Sequence, residues 1–135
     1  MELTRRDALV AAVAPLLLAI TGEAQATQNT TVFVHDLPNL TMEDWQVNVS
    51  QITLPPGNVG NPHRHPGFVL VYVLEGEVVA KITGSAEATY GPGQMFYEYP
   101  GSTHEVSRNA SGTKPAKFLA FIFAKKGLPL TSPAA

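Results

Sequence analysis

Four histidines occur in the 135-residue sequence, and two of them stand one residue apart in the stretch "GNPHRHPGF". In an extended segment, residues two apart share a face with Cα atoms about 6.6 Å apart, so His63 and His65 can bind one metal ion while Arg64 points away. Pro62 and Pro66 favour a stiff strand at a sheet edge or barrel mouth. Because a His-x-His pair alone is weak evidence for a metal, two surface histidines remain the alternative.

A second stretch, "GPGQMFYEYPGSTHEVSRN", adds His104 and a carboxylate to the candidate site residues. Glu98 lies in an otherwise apolar and aromatic segment, where a carboxylate must find a cation, a hydrogen-bond donor or water. Three interpretations of Glu98 stay open: a fourth metal ligand, a catalytic base beside the metal, or a solvent-facing residue between Tyr97 and Tyr99. His35 lies far from both stretches and is expected to be exposed.

The composition restricts both the metal ligands and the partners. The sequence contains no cysteine, so any metal must be held by nitrogen and oxygen. Imidazole suits several transition metals, and iron, manganese and zinc, which compete in the cytoplasm where a protein exported in its folded state would take its metal, are the open candidates. A formal net charge of -2 provides no basic surface for phosphates, and nucleic acid is therefore not an expected partner.

The first 26 residues are typical of an export signal. Arg5 and Arg6 precede an apolar run of 13 residues, 8–20, and then Ala24-Gln25-Ala26, a small-x-small cleavage sequence. The run is shorter than the roughly 20 residues of a membrane-spanning helix. The paired arginines favour twin-arginine export to the periplasm, with an ordinary secretory leader or a retained anchor as alternatives. Cleavage after Ala26 leaves residues 27–135 as a single domain without a membrane segment.

Residues 27–135 are predicted to be all-β. Short runs rich in Val, Ile, Phe, Tyr and Thr alternate with Pro and Gly. Eight strands are predicted, over 31–35, 45–54, 68–74, 77–82, 87–90, 94–99, 104–108 and 117–124. The run "FVLVYVL" is expected to be buried on both faces, whereas Trp45, Val47 and Val49 alternate with polar residues as in a strand with one wet face. The pattern favours a double-sheet jelly roll or a small antiparallel barrel, with Gly127 to Ala135 as a tail.

Both histidine-containing stretches resemble the signature motifs of the cupin superfamily. The first motif has glycine, five residues, His-x-His, three or four residues, glutamate, six residues and glycine. Gly57, His63, His65 and Gly76 stand in register with it, whereas Val69 occupies the glutamate position.

The second cupin motif has glycine, five residues, Pro-x-Gly, two residues, histidine, three residues and asparagine. Gly93, Gly101 and His104 fit this motif, while Tyr99 replaces the proline and Arg108 the asparagine. The resemblance covers residues 57–109 by motif, and the flanking predicted strands suit the same cupin barrel, a double-stranded β-helix.

The resemblance implies that His63, His65 and His104 bind a divalent metal inside the barrel. Because valine cannot coordinate, the site either has three histidine ligands or takes an oxygen ligand from elsewhere, and Glu98 is the nominated residue. Three neutral imidazoles leave the ion its full charge, and one carboxylate would lower that charge by one. Small cupins generally form dimers, so a homodimer is expected.

Two functional hypotheses follow from this interpretation. The first is an enzyme acting on a small organic acid or enol-type compound, similar to the dioxygenases or isomerases of the superfamily, with Glu98 as an acid, base or metal ligand. The second is a non-catalytic module that binds a sugar, an acid or the metal itself. The fold alone does not decide between them, because cupin barrels host both kinds of protein.

Overall fold

A computed structural model of the chain describes residues 22 and 24–134. Within these residues, the chain forms nine β-strands and no helix. In chain order they are β1 (Trp45–Leu54), β2 (His63–Arg64), β3 (Phe68–Glu75), β4 (Val78–Ile82), β5 (Ala88–Tyr90), β6 (Met95–Glu98), β7 (Thr103–Asn109), β8 (Ala116–Lys125) and β9 (Ser132–Pro133). The all-β prediction is confirmed, and seven of the eight predicted strands are present within one or two residues of their predicted bounds.

The strands form two sheets with antiparallel pairing. One sheet has four strands in the order β1-β8-β3-β6, and the other has five in the order β5-β4-β7-β2-β9. Because neighbours in each sheet are rarely neighbours in the chain, the connections cross repeatedly from one sheet to the other. This is the jelly-roll arrangement of a double-stranded β-helix.

The hydrophobic core lies between the sheets and is built mainly from β3, β4 and β8. Side chains alternate along β3, so that Val69, Val71 and Val73 are at most 1% exposed. The prediction that both faces of "FVLVYVL" are buried is wrong, since Leu74 on the opposite face is 38% exposed and Tyr72 is half-buried. The four-stranded sheet therefore has one buried face and one face that is partly exposed to solvent.

The turn after β3 requires glycine for two reasons. Gly76 has a φ of 69°, a left-handed conformation that side chains other than glycine rarely adopt. A Cβ atom at this position would also lie 2.5 Å from the carbonyl oxygen of Pro115. The tight turn allows β3 and β4, which lie in different sheets, to follow each other directly.

The edge strand β1 faces the opposite way from what its hydrophobic pattern indicates. Val47 and Val49 are 50% and 51% exposed on the outer face, whereas Ser50 and Ile52 face the interior. The physical reason is that the interior at this point is a cavity, which tolerates a hydroxyl group. Covering the exposed valines is one way a homodimer could form, and dimerisation remains a prediction that the mass of the protein in solution would test.

The predicted strand over 31–35 is wrong. No ladder hydrogen bond is found for these residues, and Val32 and Val34 are 62% and 80% exposed. Instead, the other face of this extended segment lies over β6, where the ring centroid of His35 is 4.1 Å from that of Tyr97. Its apolar alternation therefore reflects docking on one side of the barrel edge rather than strand pairing. His35 itself is exposed, as predicted.

The C-terminal residues are also more ordered than the predicted tail. β9 pairs with β2, with Pro133 opposite His63 and Ser132 opposite Arg64, and the amide of Ala134 donates to the carbonyl of Pro62 at 3.2 Å. This segment crosses from the end of β8 in one sheet to the edge of the other.

The predicted export signal, residues 1–26, lies almost entirely outside the described residues. Within the part of the chain that is described, none of the secondary structure forms a helix long and apolar enough to cross a membrane.

Candidate metal centre

The structure brings the three candidate histidines together at one end of the five-stranded sheet. His63 in β2 pairs directly with His104 in β7, and their ring centroids are 4.9 Å apart. His65 follows β2, and its ring centroid lies 5.0 Å from that of His63. Arg64 points away from the cluster, since its Nε donates to the hydroxyl of Thr103 at 2.9 Å. The proximity of His63 and His65 therefore follows from strand alternation, whereas His104 is brought to them by the pairing of β7 with β2.

A bulge in β7 widens the set of residues that face the cluster. Lys81 of β4 pairs with Val106, and the next residue, Ile82, pairs with His104, so Glu105 is an extra residue on β7. A bulge of this kind shifts the alternation of the strand. His104 and Ser107, three residues apart, consequently both face the interior.

Each of the three imidazoles uses its Nδ1 atom within the protein. Nδ1 of His63 donates to the carbonyl of Asn61 at 2.9 Å, and Nδ1 of His65 donates to the carbonyl of Leu130 at 2.7 Å. Because a carbonyl oxygen only accepts, each ring must carry its proton on Nδ1. The Nε2 atom of each ring then keeps a free lone pair.

His104 has the same arrangement with a carboxylate in place of the carbonyl. Its Nδ1 lies 3.1 Å from Oε1 of Glu98. Its Nε2 is buried and has no hydrogen-bond partner among the residues that the structure describes. A histidine whose Nδ1 is held by a carbonyl or carboxylate, with Nε2 left for the ion, has the usual arrangement of a metal ligand.

The environment of His63 favours its neutral form. Burial lowers the pKa of His63, and the adjacent rings of His104 and His65 lower this pKa further by repelling a positive charge. The carbonyl of Asn61 and the carboxylate of Glu98 act in the opposite direction on the same pKa, without reversing it. A neutral imidazole is the form that binds a metal.

Glu98 faces the interior, so the interpretation in which it points to solvent is wrong. It is 3% exposed, whereas Tyr99, on the other face of the chain, is 41% exposed. Its Oε2 lies 3.6 Å from Nε2 of His65. Two ligands on one ion, each at about 2.0–2.2 Å, are separated by roughly 3–3.5 Å, so this spacing is close to that of two ligands sharing an ion.

The position of Glu98 also explains how a carboxylate reaches the site although Val69 occupies the glutamate position of the motif. Glu98 in β6 pairs directly with Val69 in β3, and both side chains point inward. Directly paired residues have Cβ atoms about 4.5–5.5 Å apart. The carboxylate is therefore displaced by one strand and remains at the same level of the barrel.

The donors suit a divalent ion in kind, number and protonation state. Three neutral nitrogens and one carboxylate match the preferences of zinc, iron and manganese. Among residues 22 and 24–134, no three such side chains already surround a point at coordination distance. Closing them around an ion therefore requires the side chains to move toward one another.

The cluster lines a cavity of about 310 Å³ between the two sheets. Fifteen described residues form its wall, and most of those from the four-stranded sheet are apolar. Sequence reasoning missed the hydroxyl-bearing members Ser50, Ser107 and Thr131, because their inward orientation depends on strand register and on the β7 bulge. Leu130 was missed too, although a leucine in a proline-containing tail is a signal that the tail packs on the domain.

The C-terminal segment, residues 127–134, is a structural part of the site. Its Leu130 carbonyl holds Nδ1 of His65, and the Leu130 side chain packs on the core and lines the cavity. The hydroxyl of Thr131 also lies 3.5 Å from the same nitrogen. This segment therefore orients one of the candidate ligands and covers one wall of the cavity.

Truncation after Lys126 is expected to lower the affinity for a divalent metal by about 10–100-fold, since it removes the group that orients His65. The measurement is a titration of apo protein with zinc in competition with a chelator, alongside circular dichroism to establish that the sheets persist. Leu128→Ala is the matched control, because Leu128 is 46% exposed and contributes neither contact. A folded truncated chain with the affinity of the parent would contradict the assigned role.

Fold and site together define a β-barrel protein with a buried histidine–carboxylate cluster. Residues 50–122 match the family model described as a cupin domain, which is more than half of the chain. The chain therefore belongs to the cupin family. No curated protein sequence is significantly similar to it.

Three solved structures illustrate the likeness in fold. The DMSP lyase DddQ from Ruegeria pomeroyi is 19% identical, with a TM-score of 0.57, over 65% of this chain and 43% of the lyase. A conserved protein with a double-stranded β-helix domain from Klebsiella pneumoniae is 22% identical, with a TM-score of 0.52, over 71% and 79% of the two chains. A predicted oxalate decarboxylase from Thermotoga maritima is 27% identical, with a TM-score of 0.50, over 57% and 64%. This chain thus spans less than half of the lyase.

Proposed function

We propose that this protein is an exported, metal-dependent cupin enzyme acting on a small organic acid or an enol-type compound. The observation that carries the proposal is the common tautomer of His63, His65 and His104. All three rings are held through Nδ1, which leaves three Nε2 lone pairs beside the buried carboxylate of Glu98. Lone pairs and a carboxylate repel one another in a buried site unless a cation lies between them.

The assigned ligands are His63, His65, His104 and Glu98, and the ion is zinc, iron or manganese. When bound, such an ion polarises a carbonyl or carboxylate oxygen, and iron or manganese also makes redox chemistry available. The mixed nitrogen and oxygen donor set does not select among these three metals. The chain's own residues determine where a substrate lies and which atoms can take a proton.

Glu98 has two roles in this proposal, one for each oxygen. Oε1 accepts from Nδ1 of His104 and so fixes the tautomer of that ligand. Oε2 faces Nε2 of His65 and is placed to join the donor set. Of the residues that line the cavity in the described part of the chain, Glu98 is the one carboxylate, so it is also the group able to accept a proton from a bound acid.

The choice of a small substrate is supported by the enclosed site and by a relative. A cavity of about 310 Å³ is at the lower end of the size range of ligand pockets. The relative from Thermotoga maritima is named for oxalate, a small organic acid. A non-catalytic binding module would share this cavity, and turnover is the property that separates the two.

The test is an analysis of the protein recovered from the exported fraction of expressing cells. We expect a chain that begins at Thr27 and contains about one equivalent of divalent metal. Incubation with a panel of small acids and diketones should then give oxygen uptake or a new product by mass spectrometry. Metal-free protein from metal-supplemented cells would contradict the site, and a metal-loaded protein that binds acids without product would establish the binding module.

A further inference from the structure

Few of the side chains that line the cavity can carry a charge. Its fifteen described side chains comprise one carboxylate, three imidazoles, three hydroxyl groups and eight apolar groups. No lysine or arginine is among these residues, so a bound ion is the source of permanent positive charge at this wall. Four of the cationic side chains have partners of their own outside the cavity: Arg64 with Thr103, Lys81 with Glu105, Arg108 with Glu87 and Lys117 with Glu75.

The three histidines and most of the apolar wall lie on opposite sheets. The histidines come from β2, the residue just after it, and β7, in the five-stranded sheet. Phe118, Ala120 and Ile122 of β8 and Val71 of β3 line the cavity from the four-stranded sheet. A molecule whose charged group lies at the histidines therefore directs its remainder toward an apolar wall.

We infer that the substrate of this site is a monoanionic acid with a short apolar group, rather than a dicarboxylate whose second carboxylate lies too far along the molecule to reach the same ion. The inference rests on the proposed function, because it takes a divalent ion at the histidines. That ion and the carboxylate of Glu98 together leave one net positive charge, which one substrate carboxylate or enolate neutralises. A second carboxylate would be left without a counter-charge against apolar side chains, and burying an unpaired charge is strongly unfavourable.

The size of the cavity sets the length of the apolar group. A volume of about 310 Å³ holds about ten water-sized groups at roughly 30 Å³ each, and the ion takes part of that space. An acid of a few carbon atoms fits, with its alkyl end against Phe118 and Ile122. The hydroxyl of Ser107 lines the same cavity and can contact one further oxygen on the substrate, whereas the hydroxyl of Ser50 already donates to Oδ1 of Asn48 at 2.9 Å.

The experiment compares matched acids that differ only in a methyl group replaced by a carboxylate. Butyrate and succinate form one pair, and valerate and glutarate form the other. Each acid is titrated by calorimetry into apo protein and into protein loaded with zinc, whose content is measured first. We expect the loaded protein to bind each monocarboxylate about tenfold or more tightly than its dicarboxylate partner, and the apo protein to bind neither.

A charge-changing variant provides the control. Thr131 lines the cavity but is exposed, so replacing it should not disturb the core. Because its hydroxyl lies 3.5 Å from Nδ1 of His65, the zinc content of each variant is measured before the acids are compared. Thr131→Arg adds the missing counter-charge and should reduce or reverse the preference, while Thr131→Gln, which is uncharged, should keep it. Loaded protein that binds succinate or glutarate as tightly as its partner, or that binds neither acid, would overturn the substrate assignment alone. Protein that takes up no zinc would overturn the proposed function itself.

Discussion

His104→Ala is expected to leave the purified protein without its divalent metal, with an affinity lowered by at least about 100-fold. His104 is 4% exposed, and its Nε2 is a buried nitrogen with no hydrogen-bond partner in the described part of the chain. The substitution removes this donor and also takes away the group that holds Oε1 of Glu98. Metal content by elemental analysis after dialysis against a chelator, and the affinity from competition titration, measure the effect.

The same substitution should destabilise the apo protein, because a buried carboxylate loses its hydrogen bond. The expected cost in the free energy of unfolding is about 1–3 kcal/mol, measured by urea denaturation. His63→Ala, at a half-buried position, carries less folding risk and should also lose the metal. His35→Ala is the matched control, since His35 is the one histidine outside the cluster. Full metal content in both His63→Ala and His104→Ala would rule out the site.

The second large effect concerns the carboxylate that lies one strand away from its position in the family motif. Glu98→Val should lower metal affinity by about 10–100-fold, since it removes the charge and the acceptor for His104. The double variant Val69→Glu/Glu98→Val should recover most of the loss. Positions 69 and 98 are directly paired and both buried, so the exchange returns one carboxylate to the cavity at nearly unchanged volume.

Competition titration of the parent, both single variants and the double variant gives the coupling between the two positions. Glu98→Gln separates the two roles of the side chain, because its amide oxygen can still accept from His104 without supplying a charge. A Glu98→Gln variant with the affinity of the parent would show that the charge is dispensable. Failure of the double variant to recover affinity would mean that the bond from Glu98 to His104 is what matters.

These variants address a feature that separates this chain from the pattern of its family. The motif provides its carboxylate from the strand that here carries Val69, and in this protein the neighbouring strand provides it instead. Because paired residues on a sheet share a face, a ligand can move to the paired position of the adjacent strand without moving out of the cavity. The predicted carboxylate was therefore found by its chemistry, as an acidic residue in an apolar strand, and not by its place in the motif.

The sequence by itself determined the strands, the family and the near half of the histidine cluster. Hydrophobic runs bounded by Pro and Gly predicted β1 with its observed bounds, Trp45–Leu54, and strand alternation placed His63 and His65 on one face. These features depend on residues close together in the chain, where the period of two in a strand is sufficient.

The tertiary structure decided which face is inside and which distant segments meet. Alternation could not tell whether Glu98 or its tyrosine neighbours point inward, and the pairing of β6 with the central strand β3 settled this. In β1 the hydrophobic alternation indicated that Val47 and Val49 point inward, but packing places both on the outer face. The residues 31–35 formed no strand and the C-terminal segment reached His65, because both outcomes depend on partners far away in the chain. A periodic pattern specifies which side chains share a face, and only packing between sheets specifies what that face meets.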